Sequence, residues 1–178
     1  MLGIGGKLAL ICLIAGITLG LVNAVTAPKI ANVKAQTLAR ALAKVSGGKE
    51  VGAETVEDDH PVVRGYFLLS SGYILNLIGV GYGGDLELLV SYSLKGEIEA
   101  VALMDNLETP GLGKNAEKPE YMEKYLGTGS ARPVPVTKQQ LSQSQADSVS
   151  GATITFVGIG QALADGAIYA QELSNAGP

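Results

Sequence analysis

Asp147-Ser148-Val149-Ser150-Gly151-Ala152-Thr153-Ile154-Thr155 sets two small residues, Gly151 and Ala152, between the hydroxyl residues Ser150 and Thr153, with an acid just upstream and a long apolar-periodic segment following. The period predicts a helix from Gly151 to about Leu173, with Phe156, Ile159, Leu163, Ala167 and Ala170 as its stripe. Ser150 is the expected N-cap, because its hydroxyl can accept from an unpaired N–H of the first turn. Thr153 then falls at the third helical position and points out of that turn. A phosphate carried there would face free N–H groups and the positive end of the helix dipole, a gain of about 0.3–1 kcal/mol, or about 2 if partly buried. Gly151 and Ala152 leave the Thr153 hydroxyl open to a bulky group. Gly158 and Gly160 each cost about 1 kcal/mol inside a helix, and the expected return is close backbone approach to a sheet. On its own, Ser-Gly-Ala-Thr is an ordinary capped helix start.

The sheet is read upstream. Arg64–Ser70, Tyr73–Gly81, Leu86–Ser93 and Ile98–Asp105 are aliphatic and aromatic runs joined by Ser71-Gly72, Gly83-Gly84 and Lys95-Gly96. Four hairpin-linked runs predict an antiparallel sheet, and flanking helices make the class α+β. The run Leu86–Tyr92 loses strict alternation at its centre, as a strand buried on both faces does. Glu108-Thr109-Pro110-Gly111-Leu112-Gly113 follows the last run. Thr109 before proline is held extended, and two glycines let the backbone turn sharply, leaving Leu112 projecting. Tyr121, Met122, Tyr125 and Leu126 are spaced for a short helix. Val134-Pro135-Val136 reads as an edge strand, and Gln139–Ala146 as a solvated linker or short helix.

The N-terminus is a different material. Leu8–Ala27 holds no charge, and 20 helical residues span about 30 Å, one bilayer core. It is read as a retained transmembrane helix rather than a cleaved signal peptide, since no strong cleavage site ends it. Gly16 and Gly20 are spaced for close approach of another helix. Pro28 is suited to begin a second, amphipathic helix bearing Lys34, Arg40 and Lys44, ended by Gly47-Gly48. The expected organisation is an anchor over 1–28, a connecting helix over 29–48 and one domain over 49–178. Lys29, Lys34, Arg40 and Lys44 follow the span and only Lys7 precedes it, so a simple positive-inside count puts the domain in the cytoplasm; long domains translocate largely regardless of charge.

Thirteen basic residues stand against 17 acidic ones, a net charge of −4. No basic stripe is available for nucleic acid. The single cysteine, Cys12, lies in the span, so an intramolecular disulfide and an iron–sulfur cluster are excluded. His60 is the only histidine, in an acidic loop without a second nitrogen or sulfur ligand, so no metal site is expected. The glycine clusters do not form a Rossmann fingerprint. Redox chemistry here must come from an organic cofactor.

Asp147-x-x-Ser150-Gly151-Ala152-Thr153 resembles the flavinylation motif of the FMN-binding domain family, and Glu108–Gly113 resembles that family's second signature. With the N-terminal span, their order is similar to the G subunits of Rnf-type ferredoxin:NAD oxidoreductases. The resemblance implies FMN held covalently, by a phosphoester to Thr153, with Ser150, Gly151, Ala152 and Asp147 building the attachment turn. It implies a loop of Glu108, Thr109, Gly111, Leu112 and Gly113 against the isoalloxazine ring, with Lys138 loosely matching a lysine that approaches the flavin. Glu108 is left open between bonding the ring, the ribityl hydroxyls and its own loop. The implied role is an electron relay within an ion-translocating complex, with no complete active site of its own. Implied partners are the other membrane and peripheral subunits, the lipid bilayer and a flavin transferase using FAD. The implied location is the cytoplasmic (inner) membrane, single-pass, with the FMN domain outside. The alternatives are the C subunit of the Na⁺-translocating NADH:quinone reductase, a free-standing extracytoplasmic flavin carrier, and a tethered interaction domain with a vestigial motif.

Overall fold

The computed structural model describes residues 2–176 and falls into two compact units that divide between Ala39 and Arg40. Helix α1 spans Leu2–Val45 with Pro28 inside it. Proline therefore does not open a new helix here. It leaves the Ala24 carbonyl, four residues back, without its helical donor. From Gly5 the helix is apolar and long enough to cross a membrane, and its most apolar stretch is fully exposed. The last turns, from Arg40, belong to the sheet unit and bury Ala41 and Val45 there.

The second unit is a five-stranded antiparallel meander in the order β1-β2-β3-β4-β5. The strands are β1 (Val51–Val56), β2 (Val63–Leu69), β3 (Gly72–Val80), β4 (Asp85–Ser93) and β5 (Ile98–Asn106). The four expected strands are present, and the class is α+β as expected. Every residue of β4 from Leu88 to Tyr92 is buried, so its broken alternation did mark a strand covered on both faces. Strand β1 was not anticipated. It is an edge strand, exposed beyond its first residue, with a glycine and a glutamate in six positions, and it lacks the apolar alternation that marks the others.

Short helices α2 (Pro119–Met122) and α3 (Gln143–Ser148) precede the long helix α4 (Thr153–Ala176). Residues 134–136 form no strand. Pro135 has no N–H to give, and the Val136 N–H is taken by Gln140 Oε1 at 2.8 Å, which removes two of the three donors a ladder would use. Helix α4 lies on the sheet. Phe156, Ile159 and Leu163 are fully buried with Leu75, Leu77, Leu88, Val90 and Tyr92, each worth about 1.5–3 kcal/mol relative to exposure. Tyr92 donates to the Leu163 carbonyl at 2.9 Å and Tyr125 to the Phe156 carbonyl at 3.0 Å, fixing the helix along its axis.

At one place α4 and β3 touch backbone to backbone. A Cβ on Gly158 would collide with the Val80 carbonyl, and one on Gly79 would sit 2.9 Å from the Gly158 carbonyl. The expected close approach thus occurs at Gly158, whereas Gly160 faces Pro135 and Val136. This contact brings the first turn of α4 to the end of the sheet where β3 turns into β4 and where β5 ends, since Val80 pairs with Asp85 and Leu86 with Asn106.

Candidate functional site

The motif turn differs in one respect from a simple Ser150 cap. The Phe156 N–H bonds the Ala152 carbonyl at 3.0 Å, so Ala152 holds the cap position and Thr153 is the first helical residue. The Ser150 N–H bonds the Asp147 carbonyl and the Ala152 N–H bonds the Val149 carbonyl, both at 3.1 Å. Gly151 between them has φ of +81°, a conformation other residues enter at a cost of about 1–2 kcal/mol. Glycine is therefore required by the backbone as well as by access. The N–H groups of Thr153, Ile154 and Thr155 are those a helix start leaves without an intrahelical partner.

This turn forms one wall of a cleft of about 380 Å³, within the range of small-molecule sites. Gly151, Ala152 and Thr153 meet Glu108, Thr109, Leu112 and Gly113 across it. The two signatures, some forty residues apart in sequence, share one site. Leu112 is about half exposed, and its Cδ2 is 3.1 Å from where a Gly151 Cβ would be. Its loop is closed by Leu112 and Lys114 N–H bonds to the Thr109 carbonyl, at 3.1 and 3.2 Å.

Glu108 is only 4% exposed. Its Oε1 accepts from the Gly83 N–H at 2.9 Å and its Oε2 from the Thr155 hydroxyl at 2.7 Å. Of the three uses left open for it, these bonds make it a clamp among the β3–β4 turn, its own loop and α4. Gly113 packs so closely that a Cβ there would overlap the carboxylate. The charge of Glu108 also raises the nearby Tyr121 phenol, after burial as the larger cause.

Thr153 is exposed and lines the cleft, whereas Thr155 is buried at 1% exposure with its hydroxyl committed to Glu108. The cleft does not include Asp147, Ser150, Gly111 or Lys138 among its lining residues. Asp147 accepts from the Gln143 amide at 3.0 Å, Gly111 turns with φ of +79°, and Lys138 begins the 3-10 turn Lys138–Gln140. Three lining residues were not singled out in the sequence: Tyr82, Ile154 and Thr155. Tyr82 is three-quarters exposed in a Gly-Tyr-Gly-Gly turn, and an aromatic between glycines was the available signal.

The residues fit a flavin phosphate and ring. Free helix N–H groups stand beside an available hydroxyl, and apolar Leu112 and aromatic Tyr82 offer flat surface for a ring. Among the described residues no cluster of metal-ligating side chains occurs.

A model of the FMN-binding domain matches residues 81–167, the stretch that contains the whole cleft. The chain is 30% identical over 165 residues to the G subunit of the ion-translocating oxidoreductase complex of Cereibacter sphaeroides, covering 85% of this chain and 75% of that one. It is 28% identical over 159 residues to the G subunit of the proton-translocating ferredoxin:NAD(+) oxidoreductase complex of Clostridium ljungdahlii, covering 84% and 80%. It is 32% identical over 118 residues to the G subunit of the ion-translocating oxidoreductase complex of Methanosarcina acetivorans, covering 63% and 61%.

Proposed function

Because this chain belongs to the family of ion-translocating oxidoreductase G subunits with an FMN-binding domain, we propose that it carries FMN as a phosphoester on Thr153. The chain is an electron-transfer flavin subunit of an Rnf-type complex. The supporting observation is the contrast between two threonines two positions apart: Thr153 is exposed and lines the cleft, and the Thr155 hydroxyl is committed to Glu108.

Attachment needs help, because a threonine hydroxyl is a weak nucleophile at its free pKa. A flavin transferase would join Thr153 Oγ1 to the flavin-side phosphorus of FAD. The phosphoanhydride bond breaks, AMP leaves, and the hydroxyl proton passes to a base on the transferase. The helix N–H groups at Thr153–Thr155 would hold the phosphate, and Leu112 and Tyr82 would offer apolar and aromatic surface to the ring. The group supplies reversible electron uptake; the chain supplies position and shelter. Glu108 takes no part in the chemistry and holds the two walls together.

The first helix is the anchor, with the bilayer as a direct partner, and the domain stands on the extracytoplasmic side. Division into an anchor over 1–28, a connecting segment over 29–48 and a flavin domain over 49–178 suits this role, although α1 runs unbroken across the first boundary. Purification from a host with the transferase, followed by flavin fluorescence on a denaturing gel, tests the central claim. A band that stays dark in such a host would remove the covalent link.

A further inference from the structure

A second cleft, of about 510 Å³, shares no lining residue with the first. Lys124 forms part of it. This lysine is 7% exposed, its ammonium has no hydrogen-bond partner, and the nitrogen sits 3.2 Å from the centre of the Tyr121 ring. A buried ammonium supported by a ring face alone keeps much of its desolvation cost.

Arg132 lines the same cleft. It donates to the Leu126 carbonyl at 3.0 Å and the Gly127 carbonyl at 3.4 Å, which leaves the remainder of its fork free and uses no carboxylate. Gln140 and Gln145 complete the donor set. Gln140 Oε1 accepts from the Val136 and Thr137 N–H groups at 2.8 Å each, and Gln145 Oε1 accepts from the Ser142 N–H at 3.2 Å. With both amide oxygens committed to backbone, the amide NH₂ groups are what these side chains have left to offer. The residues lining the cleft include two basic side chains, one of them with its ammonium buried, and two glutamines against one acid, the exposed Glu123.

We propose that this cleft is a binding site for a small oxyanion, a phosphate or carboxylate group, held by Arg132 and the two glutamine amides over the buried Lys124 charge. The guanidinium fork matches either group in a bidentate manner. A ligand there supplies the negative charge that Lys124 lacks within the described protein. Helix α3 contributes Gln145 to this cleft and Asp147 to the motif turn, so the two sites share one short element.

Inorganic phosphate is the probe, added to the full chain in a nonionic detergent against chloride at matched ionic strength. Thermal melting and phosphorus NMR line width are the two readouts. Wild type should show a saturable rise in melting temperature, because a ligand that binds only the folded state stabilises it by mass action. Arg132→Gln should weaken apparent affinity about tenfold or more, the loss of a charge-assisted pair. Lys124→Met should lose the response while still folding, and Glu123→Gln should strengthen it. Phosphate also stabilises proteins generically by exclusion from their surface. An equal rise in wild type and Arg132→Gln is therefore that generic effect, or binding elsewhere, and overturns the proposal. No rise in wild type overturns it as well. Repeating the titration in phosphatidylglycerol nanodiscs separates the sources: a persistent response assigns a free anion, and one that disappears assigns a lipid phosphate already in place.

Discussion

The Thr155 hydroxyl donates a 2.7 Å hydrogen bond to Glu108 Oε2, and the two residues are 1% and 4% exposed. Two threonines of one motif thereby acquire opposite duties, one facing inward as a clamp and the other facing the cleft. Thr153→Ala should abolish flavin fluorescence on a denaturing gel and leave the fold intact. Thr155→Val should stay fluorescent but lose about 1.5–3 kcal/mol of stability, the cost of a buried bond to a charged group, read by thermal melting. A bright Thr153→Ala band that darkens only in Thr155→Val would reverse the assignment.

Gly151 supplies a second test, because its φ of +81° and its closeness to Leu112 both act against a side chain. Gly151→Ala should cost about 1–2 kcal/mol of local strain and slow flavinylation by displacing the Leu112 wall. Ser150→Ala, exposed and outside the cleft lining, should flavinylate faster than Gly151→Ala in the same time course. Equal rates for the two would mean that the left-handed turn does not set the site.

On the ring side, Leu112→Ala and Tyr82→Ala should leave attachment intact. Each should increase quenching of flavin fluorescence by iodide and shift the flavin midpoint potential, because each exposes one face of the ring to water. Unchanged quenching and potential in both variants would take the ring out of this cleft.

Burial lowers the Lys124 ammonium to about 8, from about 10.4 in an unfolded chain. Between those values the unfolded chain holds a proton that the folded one has released, so stability falls as pH drops through that window and rises with pH across it. Below pH 8 the folded state bears the full cost of the buried charge. The phenols facing it, Tyr121 and Tyr125, are pushed up mainly by burial, and they oppose the rise only as pH nears 10. Lys124→Met should therefore melt higher than wild type at pH 7 and show a flatter climb between pH 8 and 10. An unchanged slope would mean that Lys124 is solvated.

Four strands and the long last helix were legible in the sequence, because each carries a local signal: hairpin turns and a helical apolar stripe. The two segments that line the cleft read locally as an ordinary helix start and a strand-to-loop turn, and only their resemblance to a family's two signatures singled them out. What escaped depends on contacts between distant segments. Glu108 could not be assigned a role, since its partners Gly83 and Thr155 lie 25 and 47 residues away. Tyr82 belongs to the cleft only because Gly79 and Gly158 let α4 meet the end of β3. Strand β1 has a weak pattern of its own and is defined by pairing with β2. The residues 134–136 alternate like a strand, yet Gln140 claims the Val136 N–H and Pro135 has none to give.

Topology is where the charge count and the proposed function disagree. Lys29, Lys34, Arg40 and Lys44 after the span favour a cytoplasmic domain by simple count, whereas the bulk of chain beyond them is long enough to translocate regardless of charge. Ser144 lies on α3, exposed and outside both clefts, so a cysteine there reports location without disturbing either. Native Cys12 sits in the stretch expected within lipid and should stay silent to a membrane-impermeant thiol reagent. In intact cells, Ser144→Cys should label without lysis. The same variant with Thr153→Ala should label equally, since side is decided at insertion and not by the cofactor. Labelling only after the membrane is opened would place the domain in the cytoplasm, make the positive-inside count the better guide, and end the assignment to an exterior flavin relay.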